Sequence, residues 1–374
     1  MPFGVYVHIP FCAHRCDYCD FATWTDRDHL IDEYVDACIT DLRRHDAPAA
    51  TSVFFGGGTP SLIPGEQLAR IVDAIDRAPD AEVTVECNPD SVDAAKFAAY
   101  RAAGVNRLSI GVQSMTTHVL TALNRTHDPA NVARAVELAR AAGFTRLNLD
   151  LIYGTPGETL ADWERTVAGA LALEPEHISA YALTVEPATP LGKRVASGAQ
   201  ENVDDDLQAD AYAIADDAFT AAGMGWYEIS NWARPGEECR HNRLYWTEGE
   251  YLGVGCAAHG HTGGRRWWNV RTPERYIAAI HEHVSPEAGS ETLDDGTRAE
   301  EAFALSLRTR EGAPFARAGQ EIVSELEADG LVTVADQRAV LTRRGRLLAS
   351  DVTARLLLGG AAEVESPQVG TRYH

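Results

Sequence analysis

Between residues 5 and about 225, short β-branched or aromatic runs alternate with amphipathic helical stretches, and this alternation constrains the fold more than any other feature. The runs at 5–9, 52–55, 82–86, 107–111, 146–152 and 177–183 predict strands. Helical patterns fall at 30–44, 67–77, 94–103, 130–142, 160–173 and 209–221. Parallel neighbours need crossovers of this kind, so the reading is an α/β domain of six β/α units over 1–225. Gly104, Gly143 and Gly223 each follow an alanine-rich helix, where a left-handed C-cap favours glycine. Six units are too few for a closed eight-stranded barrel. They suit an open partial barrel or a doubly wound sheet, and periodicity alone does not choose.

Residues 226–295 read as a loop-rich connecting region, dense in aromatics, glycines and histidines as far as Trp268. A smaller, mostly helical domain is expected over 296–358, with helices at 298–307, 315–328 and 345–357 and a β-like wing at 331–334. The segment 359–374 lacks apolar periodicity and reads as a flexible tail. With 55 acidic against 33 basic residues, the net charge of −22 disfavours nucleic acid and anionic lipid as partners. No apolar run approaches the ~20 residues of a membrane span, and no basic segment precedes an apolar one at the start, so a cytoplasmic protein is expected. Seven cysteines, an odd count, fit a reducing compartment better than a disulfide framework.

Three of those cysteines, Cys12, Cys16 and Cys19, follow directly on the first strand. Three thiolates can ligate three irons of a 4Fe-4S cube and leave the fourth iron open to another ligand. A structural zinc with His8 or His14 as fourth ligand is the alternative, although zinc ligands usually come as two separated pairs. The second strand ends in Gly56-Gly57-Gly58-Thr59-Pro60, where a backbone without side chains can approach a ligand or simply turn tightly. Glu86, Gln113 and Asp150 fall at the ends of the third, fourth and fifth strands. Barrels of alternating β and α build their sites at that end, though each residue could equally be a satisfied buried polar group.

The segment Tyr6-Val-His8-Ile-Pro10-Phe-Cys12, the three-cysteine spacing and the glycine run resemble the radical S-adenosylmethionine superfamily, in its oxygen-independent coproporphyrinogen III oxidase-like family. The likeness continues through Asp150-Leu-Ile-Tyr-Gly154 and His241-Asn242-Arg-Leu-Tyr245-Trp246, so it spans nearly the whole chain. It implies a (β/α)6 partial TIM-like barrel with a smaller C-terminal domain, and a 4Fe-4S cluster on Cys12, Cys16 and Cys19. It also implies that Tyr6, Tyr18, Gly57, Gly58, Thr59, Glu86, Gln113, Arg125 and Asp150 contact S-adenosylmethionine. One-electron reduction of the bound sulfonium then splits it into methionine and a 5'-deoxyadenosyl radical.

Family members that decarboxylate coproporphyrinogen III carry a further cysteine two positions after the third ligand, and an extension before the first strand. Here Phe21 stands at that position and the first strand begins close to Met1. The resemblance is therefore to the HemW-like heme chaperone branch, with coproporphyrinogen III dehydrogenase activity as the alternative. It implies heme as cargo, with His241, Asn242, Tyr245 and Trp246 as candidate heme contacts. It further implies heme-requiring apoproteins as recipients, membrane-associated respiratory enzymes among them, together with an electron donor and a homodimer. Separately, Arg265-Arg266-Trp267-Trp268 pairs two guanidiniums with two indoles and could meet propionates and a ring face, or form a plain turn into a strand. Cys38, Cys87, Cys239 and Cys256 read as packing residues.

Overall fold

The computed structural model describes residues 2–315 and 319–359; of the expected tail, 360–374 lie outside the described residues. The chain divides into two compact units, with the boundary between Asp294 and Asp295. In the first, the strands are β1 (Phe3–Ile9), β2 (Ala50–Gly57), β3 (Arg77–Cys87), β4 (Arg107–Gln113), β5 (Leu147–Tyr153), β6 (His177–Ala182), β7 (Gly225–Glu228), β8 (Asn231–Ala233), β9 (Glu250–Val254), β10 (His259–Thr262), β11 (Arg265–Asn269) and β12 (Glu287–Thr292). Its helices are α1 (Ile31–Leu42), α2 (Gly65–Ala74), α3 (Ala94–Ala103), α4 (Thr117–Ala122), α5 (Pro129–Ala141), α6 (Leu160–Leu171), α7 (Pro190–Ala196), α8 (Asp205–Ala221), α9 (Arg240–Trp246) and α10 (Pro273–His281).

All twelve strands form one sheet in the order β12-β11-β10-β9-β1-β2-β3-β4-β5-β6-β8-β7. Strands β1 to β6 are parallel, and β9 adds parallel to β1. Beyond them, β10 to β12 at one edge and β8 and β7 at the other run antiparallel. The two edges do not meet, so the barrel is partial. Alternation along each strand explains its two faces. Val5, Val7, Val53, Phe55, Val83, Val85, Leu108, Ile110, Leu147 and Leu149 are buried in the apolar core, which includes residues of α1, α2, α3, α5 and α6. The intervening residues are polar: Ser52, Glu82, Thr84, Arg107, Ser109, Asn148, His177 and Ser179 are all buried on the other face.

The connecting region differs from its expected loop-rich character, since it holds six strands and two helices. These strands run to only three to six residues, and Gly253, Gly260 and Gly289 interrupt them, so no apolar alternation announces them. At Gly253 an added Cβ would lie 1.9 Å from the His259 carbonyl oxygen, so glycine lets β10 cross β9 closely.

The second unit contains α11 (Asp295–Leu307), β13 (Ala313–Pro314), α12 (Gln320–Ala328), β14 (Val332–Ala335), β15 (Arg338–Leu341), α13 (Arg343–Leu347) and α14 (Ala349–Gly359). Its strands form an antiparallel sheet in the order β13-β15-β14. Phe303, Leu307, Val323, Leu326, Leu341, Val352 and Leu356 are buried within it. Among the described residues no helix is long and apolar enough to cross a membrane.

Candidate functional site

The loop after β1 carries the three cysteines and is tied down at many points. Its ends pair with each other, Cys12 N–H donating to Trp24 O at 2.9 Å and Trp24 N–H to Pro10 O at 2.8 Å. Asp17 accepts from Asn124 Nδ2 at 2.8 Å and Arg194 Nη1 at 2.5 Å, while its carbonyl accepts from Leu191 N–H at 3.0 Å. His8 Nε2 lies 2.9 Å from Ala22 O, and His8 Nδ1 lies 3.1 Å from the Tyr6 hydroxyl. The glycine loop locks onto the same strand end: Gly58 N–H donates to Ile9 O and Thr59 N–H to Phe11 O, both at 2.8 Å. A Cβ on Gly58 would sit 2.7 Å from Phe11 O, which explains glycine there.

The two loops meet at the thiols. Thr59 Oγ1 donates to Cys12 Sγ and Arg125 Nη1 to Cys16 Sγ, each at 3.6 Å. Burial pushes the Cys12 thiol up and the Cys19 thiol up to about 11, with the neighbouring thiols adding to both shifts. Uncompensated, these thiols stay protonated, and bound cations would draw them into the thiolate form. The three are electrostatic neighbours, yet among the described residues no three His, Cys, Asp or Glu side chains converge enough to hold a single metal ion. A single loop that supplies three thiols, with no second ligand pair among the described residues, suits a cluster with one open iron better than a tetrahedral zinc site.

Around this loop lies a ring of strand ends. Gln113 takes a left-handed backbone, φ 63°, at a register shift between β4 and β5. Arg125 Nη2 donates to Gly111 O at 3.0 Å, and Arg125 Nε is buried without a partner. Asp150 accepts from Ser109 Oγ at 2.7 Å and Asn148 Nδ2 at 2.8 Å. Burial raises its carboxyl. Glu86 is pushed up to about 8 by burial and then by the Asp150 charge, against a hydrogen bond from the Gly57 backbone. Arg107 eases the Asp150 charge but not that of Glu86, so the pair forms a receptor for a further positively charged group. Tyr18 packs beside Val119, Leu123, Ile152 and Leu183 next to the thiols. The donor set thus fits a cluster and a cationic cofactor: three thiols, an orphaned guanidinium nitrogen, a cradle with no room for a Cβ, and a carboxylate pair.

The candidate heme residues lie elsewhere. His241 on α9 is 1% exposed, with Nδ1 3.0 Å from Ser52 Oγ and Nε2 2.9 Å from the Tyr245 hydroxyl. Its ring stacks on Phe54 at 5.5 Å, and burial depresses its pKa to about 3. Asn242 Nδ2 donates to the Tyr227 hydroxyl at 3.1 Å, and Trp246 is half-buried. Both nitrogens of His241 are therefore occupied by protein groups. Arg265 donates to both Glu287 oxygens, at 2.6 and 2.7 Å, and Arg266 Nη2 pairs with Glu291 at 2.9 Å. Those guanidiniums already hold carboxylates of the chain. Ser109 and Asn148 also belong to the carboxylate site, and their one signal in the sequence is a polar residue set between buried leucines and isoleucines on β4 and β5.

The family model described as the Radical SAM superfamily matches residues 6–168. The heme chaperone HemW of Mycobacterium tuberculosis is 46% identical, covering 96% of this chain and 95% of that protein. That of Bacillus subtilis is 35% identical over 95% and 99%. Among solved structures, the coproporphyrinogen III oxidase HemN from Escherichia coli, a radical SAM enzyme, superposes with a TM-score of 0.81 at 24% identity, covering 95% of this chain and 90% of that one. By full-length identity and by fold, the chain belongs to the radical S-adenosylmethionine superfamily, in its HemW branch.

Proposed function

We propose that the chain is a heme chaperone, which binds heme and delivers it to heme-requiring apoproteins in the cytoplasm or at the membrane surface. The observation that carries this reading is the 46% identity, over 95% of its length, with a relative named a heme chaperone. Cys12, Cys16 and Cys19 would hold a 4Fe-4S cluster, with Thr59 and Arg125 donating to its thiolates. Gly57, Gly58, Thr59, Glu86, Gln113, Arg125 and Asp150, with Tyr6 and Tyr18, would hold S-adenosylmethionine. When bound, the pair supplies one-electron reduction of a sulfonium.

The chain's own residues prepare that site. Ser109 and Asn148 fix the Asp150 carboxylate, and the Gly57 backbone orients Glu86, so a cofactor's positive charge held beside the pair would let both ionise. Tyr6 and His8 brace the cysteine loop through Ala22 O. The anaerobically reconstituted protein should bind hemin and pass it to an apoprotein, without releasing carbon dioxide from coproporphyrinogen III. Decarboxylation without heme binding would replace this reading with the oxidase alternative.

A further inference from the structure

The sheet topology carries a second group of residues to the mouth of the barrel. Because β9 is parallel to β1, β10 antiparallel and β11 parallel again, the start of β10 and the end of β11 lie at the same end as the cysteine loop. Registers place Tyr251 opposite His261, His259 opposite Trp268, and Trp268 opposite Gly289. Side chains of directly opposed residues share a face, and Tyr251 is registered with Gly4 of β1, so His259 and Trp268 continue the inner face on which Tyr6 and His8 stand.

His259 is exposed, and among the described residues neither of its ring nitrogens has a hydrogen-bond partner. Its ring stands 6.0 Å from that of Trp268, tilted by 31°. The indole passes over Gly289, where a Cβ would meet Trp268 Cζ2 at 2.6 Å. Arg271, two residues beyond β11, is exposed and makes no ion pair among the described residues; like His259, it acts electrostatically on His8.

We propose that heme seats on this inner face beside the cysteine loop, with His259 as iron ligand, Trp268 beside the imidazole to hold its ring and meet the porphyrin edge-on, and Arg271 toward a propionate. The inference rests on the heme-carrier reading and names its site. A free imidazole suits iron, an indole tilted by only 31° from that imidazole suits holding its orientation and lining the ring edge, and an unpaired guanidinium suits a carboxylate. His241, whose two nitrogens are both bonded, offers none of this without breaking buried contacts.

Hemin titration of the full-length reconstituted protein, followed by the Soret band, tests the site in wild type, His259→Ala, Trp268→Leu and Arg271→Ala. His259→Ala should weaken hemin binding by at least the ~10-fold that even outer-shell changes cost a metal site, and should shift the Soret band. Added imidazole should restore the wild-type spectrum. Trp268→Leu and Arg271→Ala should weaken binding with the band position unchanged. Unchanged cluster content and circular dichroism in the variants would tie these losses to the site. A His259→Ala variant with wild-type affinity and spectrum overturns the site and leaves the carrier reading standing. Failure of wild type to bind hemin overturns the carrier reading itself.

Discussion

Glu86 offers the sharpest quantitative test of the carboxylate pair. Burial and the nearby Asp150 charge raise its pKa from 4.5 to about 8 in the ligand-free protein. A carboxyl that titrates higher when folded holds its proton more tightly in the native state. Its contribution is therefore most favourable below pH 4.5, is lost as pH rises toward 8, and stays constant beyond. At about 1.4 kcal/mol per unit the full shift amounts to roughly 5 kcal/mol as a ceiling, which partial exposure and water penetration reduce to roughly 2 to 4. Glu86→Gln removes the titration and keeps the shape. Denaturant unfolding of the two ligand-free proteins in reducing buffer, at intervals from pH 5 to 8, should show the variant gaining on wild type by about 1 kcal/mol per pH unit. Saturating S-adenosylmethionine should flatten the wild-type slope, because a positive charge held beside Glu86 and Asp150 restores ionisation. A stability difference that does not vary with pH would refute the argument.

Gly58→Ala should displace the cysteine loop, since its Cβ would meet Phe11 O at 2.7 Å and Ile9 O at 2.8 Å; iron and sulfide content after reconstitution should fall well before the melting temperature does. His241→Ala should destabilise the protein by about 2–4 kcal/mol through a buried cavity and two lost hydrogen bonds, measured by chemical unfolding, while hemin affinity stays near wild type. Arg146→Ala removes the ion-pair partner of Glu82, a fully buried carboxylate 2.9 Å from its Nη2 that keeps only the Cys239 and His241 donors and the nearby Arg107 charge, and should cost about 3 kcal/mol, with part of that recovered when Glu82→Gln is added.

The six β/α units were legible because their outward residues, such as Val53, Val85 and Ile110, form apolar runs while crossover helices separate them. The expected helix at 94–103 matches α3, capped by Asp93 at one end and a left-handed Gly104 at the other. The cysteine loop was legible from spacing alone. Arg125 at Cys16 became legible only through the family likeness, because its approach depends on a short helix, α4, that carries little periodicity. The strands β9 to β12 stayed hidden since their inner face mixes glycine, histidine, aromatic and charged residues, such as Gly253, His259, Arg266 and Trp268, with no apolar repeat. His241 shows the opposite difficulty. A histidine among aromatics suggests a ligand, but its partners Ser52 and Tyr245 come from separate elements, and only their meeting shows the ring's valences to be filled.

The parallel pairing of β9 with β1 has a consequence for the order of events during synthesis. Strand β1 finds its first neighbour, β2, within about fifty residues, but its other edge waits for residues 250–254. At a translation rate of ~5–20 residues per second, that edge stays open for roughly ten to fifty seconds while the cysteine loop beside it is already out of the ribosome. An unpaired strand edge is a site for misjoining until its neighbour arrives. The late return of the chain thus leaves an interval in which the β1 strand that leads into the cysteine loop is paired on one edge only, until β9 closes the other.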